Sequence, residues 1–510
     1  MNKCNVERCE LEVCYLDKCV LHCPKDHTWS NLNGKSSFES AIESVINKEL
    51  LASQESLILR GIHFTNYDFK ALQSCKSIVF DECSFYMRTM NIHEVDIHFH
   101  LCAFEGYWDI ENYTVNKHDK AVYSFCHFKK PIECDGANKL VIDTALFHRC
   151  EFEHQLVLEN ITFNEGIFNN VLKATDSYEQ KLRILNITNC IFDCKSIFNQ
   201  MKVDVLDICD SEFKGKFEFK NNNIKKVNIK NTNFLKLFDS YGSEFNYFRI
   251  FKSIFEKFAG FENNVFSNSD TATTFKYVTF LDFTNFRGVK FNNGLDLETT
   301  NLQQPPNFLN STINEKNTNR ETYRIIKHSF DEIGNQLEAN KYFSYEMKKY
   351  KEELKKEVER LKRVKKIRLI RNKLEKKKFS KIRDKSKGRM DFIKGKLKKE
   401  TWDFRLYNVN DFFSSFGENF LNPVMLMLLS AVGFYCLTLG YEFNLLYRIH
   451  EPANGTINFI MTQLNNFAKG IPPYGKLLKE GMEFVTLLFH IFFLVCTWQF
   501  IVAVKRRTKR

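Results

Sequence analysis

A two-residue step, small residue then bulky residue, recurs along this chain at fixed intervals and limits what it can fold into. Near the N-terminus Cys4, Cys9, Cys14 and Cys19 stand five residues apart, each followed two positions later by Val6, Leu11, Leu16 or Leu21. Further on the bulky member is Phe: Cys83/Phe85, Cys102/Phe104, Cys126/Phe128, Cys150/Phe152 and Cys190/Phe192. Ser takes the small place at Ser211/Phe213, Ser243/Phe245 and Ser253/Phe255. A period of five matches neither the helical 3.6 nor the strand 2. It suits a square coil in which each side spends five residues and turns one small and one large side chain inward. A longer period lies over it, because Phe64 and Phe85, then Phe192, Phe213, Phe234 and Phe255, advance in steps of 21. That is one coil of four sides with one residue inserted at a corner.

Stacked coils hydrogen-bond at the spacing of neighbouring strands, about 4.8 Å. Residues 58–303 then make roughly a dozen coils and a rod on the order of 55 Å long. The same step explains why the 510 residues include 51 Phe and 16 Cys: Phe fills the coil and Cys serves as a small buried apolar residue. This pattern resembles the pentapeptide-repeat family, whose units centre on Leu or Phe with Ala, Cys or Ser two positions earlier. The resemblance implies a right-handed four-sided β-helix over about half the chain. It is strong in the first 23 residues and from 187 to 291. It is degenerate at 105–180, where coil lengths reach 24 and an insertion fits near Asp176–Glu179. The expected inward core is Cys83, Phe85, Cys102, Phe104, Cys126, Phe128, Cys150, Phe152, Cys190, Phe192, Phe213, Phe234 and Phe255. Residues 1–30 read as a Cys-rich segment of the same kind. Residues 31–57 hold a short amphipathic helix, 37–52, after an N-cap at Ser36 or Ser37.

The expected fold class is therefore a β-solenoid followed by a helical region and two transmembrane helices. The rod is expected to end near Leu302, with Pro305 and Pro306 as breakers. Residues 304–350 read as a helical hairpin, with Tyr323, Ile326, Phe330 and Ile333 on one face and Gly334-Asn335 as a C-cap. Leu337, Phe343 and Met347 open its second helix. Residues 351–400 read as a basic helix in which Leu354, Val358, Leu361, Ile367 and Leu374 hold no clean heptad. Over 341–400 there are 26 Lys+Arg and 9 Asp+Glu, more than the whole excess behind the chain's net charge of +12. Residues 401–420 are juxtamembrane. The runs Pro423–Leu446 and Phe484–Val504 are each long enough to cross a bilayer, and place transmembrane helices at 421–446 and 483–504. Residues 447–482 form an extracytoplasmic or pore-like loop, and 505–510 a basic tail. Basic residues before the first span and after the second put both termini in the cytoplasm of a protein that crosses the inner membrane twice. The opening MNKCNVERCELEVC has no apolar signal core, so the thiols are expected to stay reduced.

No phosphate-binding glycine loop, dinucleotide motif, HExxH or Gly-x-Ser-x-Gly is present, and the chain is expected not to be an enzyme. In KCVLHCPKDH, Cys19, His22, Cys23 and His27 have the chemistry of a small zinc site, with Cys19, Cys23 and His27 as its first candidates. Zinc is the one cofactor the sequence raises, against the alternative of a repeat cysteine with surface neighbours. His93, His98, His100 and Cys102 form a second group, whose plainer reading is a solvated β-helix face. The basic segment 351–400 can lie on anionic lipid headgroups, which its place before a membrane span favours. A solvated helix and a nucleic-acid site are the other readings, nucleic acid the least supported. The rod itself is nearly neutral, 28 basic against 32 acidic residues over 58–303, which argues against mimicry of DNA.

The two spans with their intervening apolar stretch resemble the two-helix pore module of potassium-channel-like proteins, with which some bacterial pentapeptide proteins end. The filter motif of those channels is absent, and Pro472-Pro473-Tyr474-Gly475 stands in its region. Thr486, His490 and Thr497 share one face of the second span and are candidates for a pore lining or for packing across the hairpin. Two functions follow as expectations. One is a membrane-anchored cytoplasmic scaffold that offers the faces of its β-helix to a protein partner. The other is a homo-oligomeric pore with the β-helix as its sensor. A metal-dependent regulator built on the Cys/His group is a third.

Overall fold

Strict alternation of inward and outward side chains shapes the first of two units, Met1–Thr318; the second is Asn319–Arg510. The computed structural model describes residues 3–6, 9–15, 17–25, 34–52, 56–90, 92, 95–110, 121–169, 178–267, 270–375, 382–443, 455–469 and 478–508. Strands Ser56–Arg60, Ser77–Asp81 and Asp96–His100 bury every second side chain and pair in parallel, Ile58 on Val79 on His98. A parallel pair one coil apart requires a crossover, and here the rest of the coil supplies it. Repetition of this step makes a β-solenoid of about 11 turns.

Four columns of inward side chains run up the stack. One holds Leu182, Val203, Ile224, Phe245, Phe266, Phe291 and Ile313. The next holds Ile187, Ile208, Ile229, Ile250 and Phe275, and a third Phe192, Phe213, Phe234, Phe255, Phe280 and Leu302. The fourth runs through Phe217, Phe238 and Ala259. Strand spacing fixes ring spacing. The Phe192–Phe213, Phe213–Phe234 and Phe234–Phe255 centroids are 4.4, 5.1 and 4.8 Å apart with nearly parallel planes. Each buried Phe contributes roughly 1.5–3 kcal/mol of transfer free energy. All thirteen residues expected in the inward core are buried, Phe152 being the most exposed of them at 7%.

The Phe series divides differently from the expectation. Phe163 is registered on Ile142 and then on Phe192, whereas Phe64, Phe85, Phe104, Phe128 and Phe152 pair among themselves. The steps of 21 thus belong to two columns on different sides of the coil. Corners recur as regularly as sides. Asn189, Asp210, Asn231 and Lys252 all adopt positive φ, as do Gln200, Asn221, Gly242 and Asn263. Both series advance by 21. Asn and Asp tolerate the left-handed region through local hydrogen bonds, and here they also bond between coils: Asn231 Nδ2 donates to Asp210 Oδ1 at 2.7 Å and Asn189 Nδ2 to Asn160 Oδ1 at 2.7 Å.

The stack continues past Pro305 and Pro306 for another half-coil. Phe308 stacks under Phe286 at 5.1 Å, and Thr312-Ile313 pairs with Lys290-Phe291. Both prolines sit outside the paired stretches, where they remove no ladder hydrogen bond. Helix α1, Gly34–Ala52, starts before the expected N-cap, so Ser36 and Ser37 lie within its first turn. It buries Phe38, Ile42 and Ile46, and the Phe38 ring meets Phe64 edge-on at 6.3 Å. The helix therefore lies over the core of the first coil.

The second unit is helical: α2 Arg320–Glu332, α3 Gln336–Glu375, α4 Ile382–Ser414, α5 Leu421–Glu442, α6 Gly455–Lys469 and α7 Glu483–Thr508. Asn319 Oδ1 caps α2 by accepting from Thr322 N at 2.8 Å. Gly334, at φ 73°, lets the chain reverse, and Asn335 Oδ1 accepts from Glu338 N to begin α3. Tyr323, Ile326 and Phe330 are buried as the spacing predicts, while Ile333 and Leu337 are exposed because they fall on the turn. Phe330 stacks on Tyr342.

The basic stretch is not a single helix. It is the end of α3 and most of α4, which pack side by side. Tyr350 meets Tyr407 at 5.1 Å, Lys396 pairs with Glu357 at 3.0 Å and Lys351 pairs with Asp411. Leu354, Val358 and Leu361 are buried along this seam with Met390 and Ile393, while Ile367 is exposed. A short seam needs no sustained heptad.

Candidate functional site

The N-terminal segment carries a five-residue cysteine period, but its described strands pair antiparallel and not in the parallel register of the solenoid. Strands β1, Val13–Tyr15, and β2, Lys18–Cys19, pair antiparallel, and Lys3 bridges Glu12. The reversal brings side chains from distant positions onto one point. Cys9 Sγ lies 3.6 Å from Cys19 Sγ, and His22 Nδ1 lies 3.5 Å from Cys4 Sγ and 3.2 Å from Cys19 Sγ. The four donor atoms of Cys4, Cys9, Cys19 and His22 all fall within 4.8 Å of one another. This group could hold a metal ion.

Of the residues singled out from sequence, Cys19 and His22 belong to this cluster. Cys23 points elsewhere, its Sγ 3.7 Å from Cys14 Sγ and 3.2 Å from Lys25 Nζ. His27 lies outside the described residues. Cys4 and Cys9 were legible only as repeat cysteines. The Cys-x-aliphatic step, shared by Cys4, Cys9, Cys14 and Cys19, does not set the cluster members apart from Cys14.

Backbone donors and burial act on these thiols in opposite directions. Burial pushes Cys19 up to about 12, despite N–H donors from His22 and Leu21. Burial also raises Cys4, but the Val6 and Cys19 N–H groups bring it below the ordinary thiol range. Burial, with Cys23 beside it, lifts Cys14 to about 11. Burial holds His22 below the usual imidazole value, so near neutral pH its ring is uncharged and able to offer a lone pair.

The second histidine group does not converge. His98 Nδ1 meets Ala121 O at 2.8 Å, and His100 Nδ1 meets Asp81 Oδ1 at 2.8 Å. Cys102 turns inward, and its thiol donates to Phe80 O. His93 is outside the described residues. Cys83, Cys126, Cys150 and Cys190 likewise donate to carbonyls of neighbouring coils. None of the sixteen cysteines is disulfide-bonded.

In the helical unit, α5 and α7 are long and apolar enough to cross a membrane. They touch through Phe434 and Phe489, with centroids 4.7 Å apart, and through Thr497 Oγ1 and Met427 Sδ. Thr486 and Thr497 each close the hydroxyl on their own helix, on the carbonyls of Met482 and Phe493. His490 is half-buried on α7. Helix α6 packs on α7, where Lys469 pairs with Glu483 at 2.8 Å and Phe484 N donates to Asn465 Oδ1. Pro472–Gly475 lies outside the described residues.

Where the apolar helices meet α3 and α4 there is a polar knot. Asn340 Nδ2 donates to Arg506 O at 2.6 Å, Ser344 Oγ to Glu418 Oε2 at 2.7 Å and Ser414 Oγ to Gln499 Oε1 at 2.8 Å. The Arg506 guanidinium donates to Phe416 O and lies 4.5 Å above the Phe343 ring.

These features define a class: a β-solenoid protein with a helical unit that carries two helices long and apolar enough to cross a membrane. Comparison of the chain with models of known families, with curated proteins and with solved structures gives no match.

Proposed function

We propose that this protein is a scaffold anchored in the cytoplasmic membrane by α5 and α7, with both termini in the cytoplasm. Its solenoid, a degenerate pentapeptide-repeat β-helix on this reading, offers regular outer faces to a protein partner. The observation that carries the proposal is the outward apolar surface of the two helices. Leu428 is 64% exposed and Trp498 66%, and Met425, Leu429, Val432 and Ile501 are exposed with them. Water does not tolerate so large a contiguous apolar surface, whereas lipid covers it. At 22 and 26 residues the helices are about 33 and 39 Å long, enough for a hydrocarbon layer of about 30 Å. Lys505, Arg506 and Arg507 close α7, and lysines and arginines crowd α3 and α4, which supports a cytoplasmic face for both ends and contact with anionic headgroups.

The full chain is expected to stay in the membrane pellet after an alkaline wash. Leu429→Asp with Val432→Asp is expected to prevent stable insertion. In spheroplasts, added protease is expected to spare residues 1–400. Release of the parent chain by the wash, or cleavage within 1–400, would overturn the proposal.

A second reading is favoured by one observation, the amphipathic α6 seated on α7 between the two spans. In this reading several copies assemble into a pore, with Thr486, His490 and Thr497 near its lining. A detergent-solubilised monomer with silent bilayers rules the pore out. A multimer whose conductance is lost in His490→Ala rules out the simple anchor.

A further inference from the structure

We infer that Cys4, Cys9, Cys19 and His22 bind one zinc ion, which pins the N-terminal segment to the first coil of the solenoid. Three thiolates and an imidazole form a closed tetrahedral donor set, the arrangement of a structural zinc site with no position left for substrate. With zinc–sulfur bonds of about 2.3 Å, two sulfurs of such a site lie about 3.8 Å apart. Cys9 and Cys19 sulfurs are 3.6 Å apart, and the His22 nitrogen is 3.2 and 3.5 Å from two sulfurs. These separations suit ligands arranged around a shared centre.

The backbone ties the ligands to one another as well: the Cys19 N–H is 3.2 Å from Cys4 sulfur, and N–H donors on a ligating sulfur favour the anionic form that binds metal. The His22 ring also hydrogen-bonds the Arg60 backbone. A second contact of this kind orients metal-binding imidazoles generally, and Arg60 belongs to the first strand of the solenoid. Three thiolates and a dication leave one negative charge, and the cations of Lys18 and Lys25 act on His22 from nearby.

The site also answers a stability problem. Strands of three and two residues cannot hold a hairpin together in water, and segments this small commonly need a metal or disulfide staple. This segment must hold its place, because Leu21 O accepts from His63 N at 2.9 Å at the edge of the first coil. Leu21 and Cys23 are buried beneath it. Stacked repeats need such a cover on their terminal coil.

The test uses the full chain, purified in detergent with a phosphine reductant, and measures zinc by elemental analysis. One equivalent per chain is expected. Cys4→Ser and Cys19→Ser are expected to lose it, Cys14→Ser and Cys23→Ser to keep it. His22→Cys is expected to keep the metal and, after exchange with cobalt, to show a four-thiolate spectrum in place of the parent's mixed sulfur–nitrogen one. Chelation is expected to open the chain between Cys9 and Lys25 to protease while the solenoid stays resistant. A parent chain without stoichiometric metal, or metal lost on Cys23→Ser but kept on Cys4→Ser, would overturn the inference. So would a Cys9–Cys19 disulfide found by alkylation mapping in place of zinc.

Discussion

Phe234 lies between Phe213 and Phe255 at 5.1 and 4.8 Å and is 1% exposed. The coils on either side are fixed by their own hydrogen bonds, so a hole at this position has little room to collapse. Phe234→Ala is expected to cost about 3–5 kcal/mol, read from chemical unfolding of the solenoid. Phe234→Leu, which keeps most of the volume, is expected to cost clearly less; equal costs would mean the stack is soft. On the outer surface Glu218 pairs with Lys216 at 2.8 Å and Lys195 at 3.0 Å. Burial alone would raise its carboxyl, but the two lysines pull it down to about 2, against an ordinary 4.5. Its stabilising contribution is complete above about pH 4.5 and is lost as pH falls through about 2. Glu218→Gln is therefore expected to be less stable than the parent at neutral pH, with a deficit that shrinks below pH 4.5. A deficit independent of pH would assign the effect to packing.

Among elements, the polar knot around Arg506 ties α3, the turn after α4 and the end of α7 together. Arg506→Ala is expected to cost about 1–3 kcal/mol in thermal unfolding of the detergent-solubilised chain. Arg506→Lys is expected to recover little of it, because an ammonium reproduces neither the planar stacking on Phe343 nor the fork that reaches Phe416; full rescue would reduce the role of Arg506 to charge. The knot was not legible beforehand, since Asn340, Ser344, Glu418 and Arg506 are ordinary polar residues until the helices converge. The apolar helices themselves were legible, because a run of apolar residues needs no partner to declare itself. So were the Phe and Cys columns, whose period is written into the chain. The pairing of α3 with α4 was not legible either, because Leu354, Val358 and Leu361 hold no sustained heptad that would announce a partner. At the metal cluster the residue types were visible and the set was not. Cys4 and Cys9 fit the coil period equally well, and only the antiparallel return of β2 brings them to Cys19.

For the molecule as a whole, the two runs of 21-residue steps were legible, and their placement on different sides of the coil was not. Phe64 and Phe85 head one column and Phe192 to Phe255 continue another, in which Phe163 follows Ile142, because the irregular coils between the runs shift the phase of the repeat. The stack survives this change since any inward column accepts Phe. Its parallel registration also has a mechanical meaning. Each coil is bonded only to the one before and the one after, so a load on the last coil is borne by a single seam at a time. When that seam parts it frees about 21 residues, some 70 Å of contour length, before the next seam is loaded. Such a stack yields in even increments under tension, and its resistance is set by its weakest seam and not by its length.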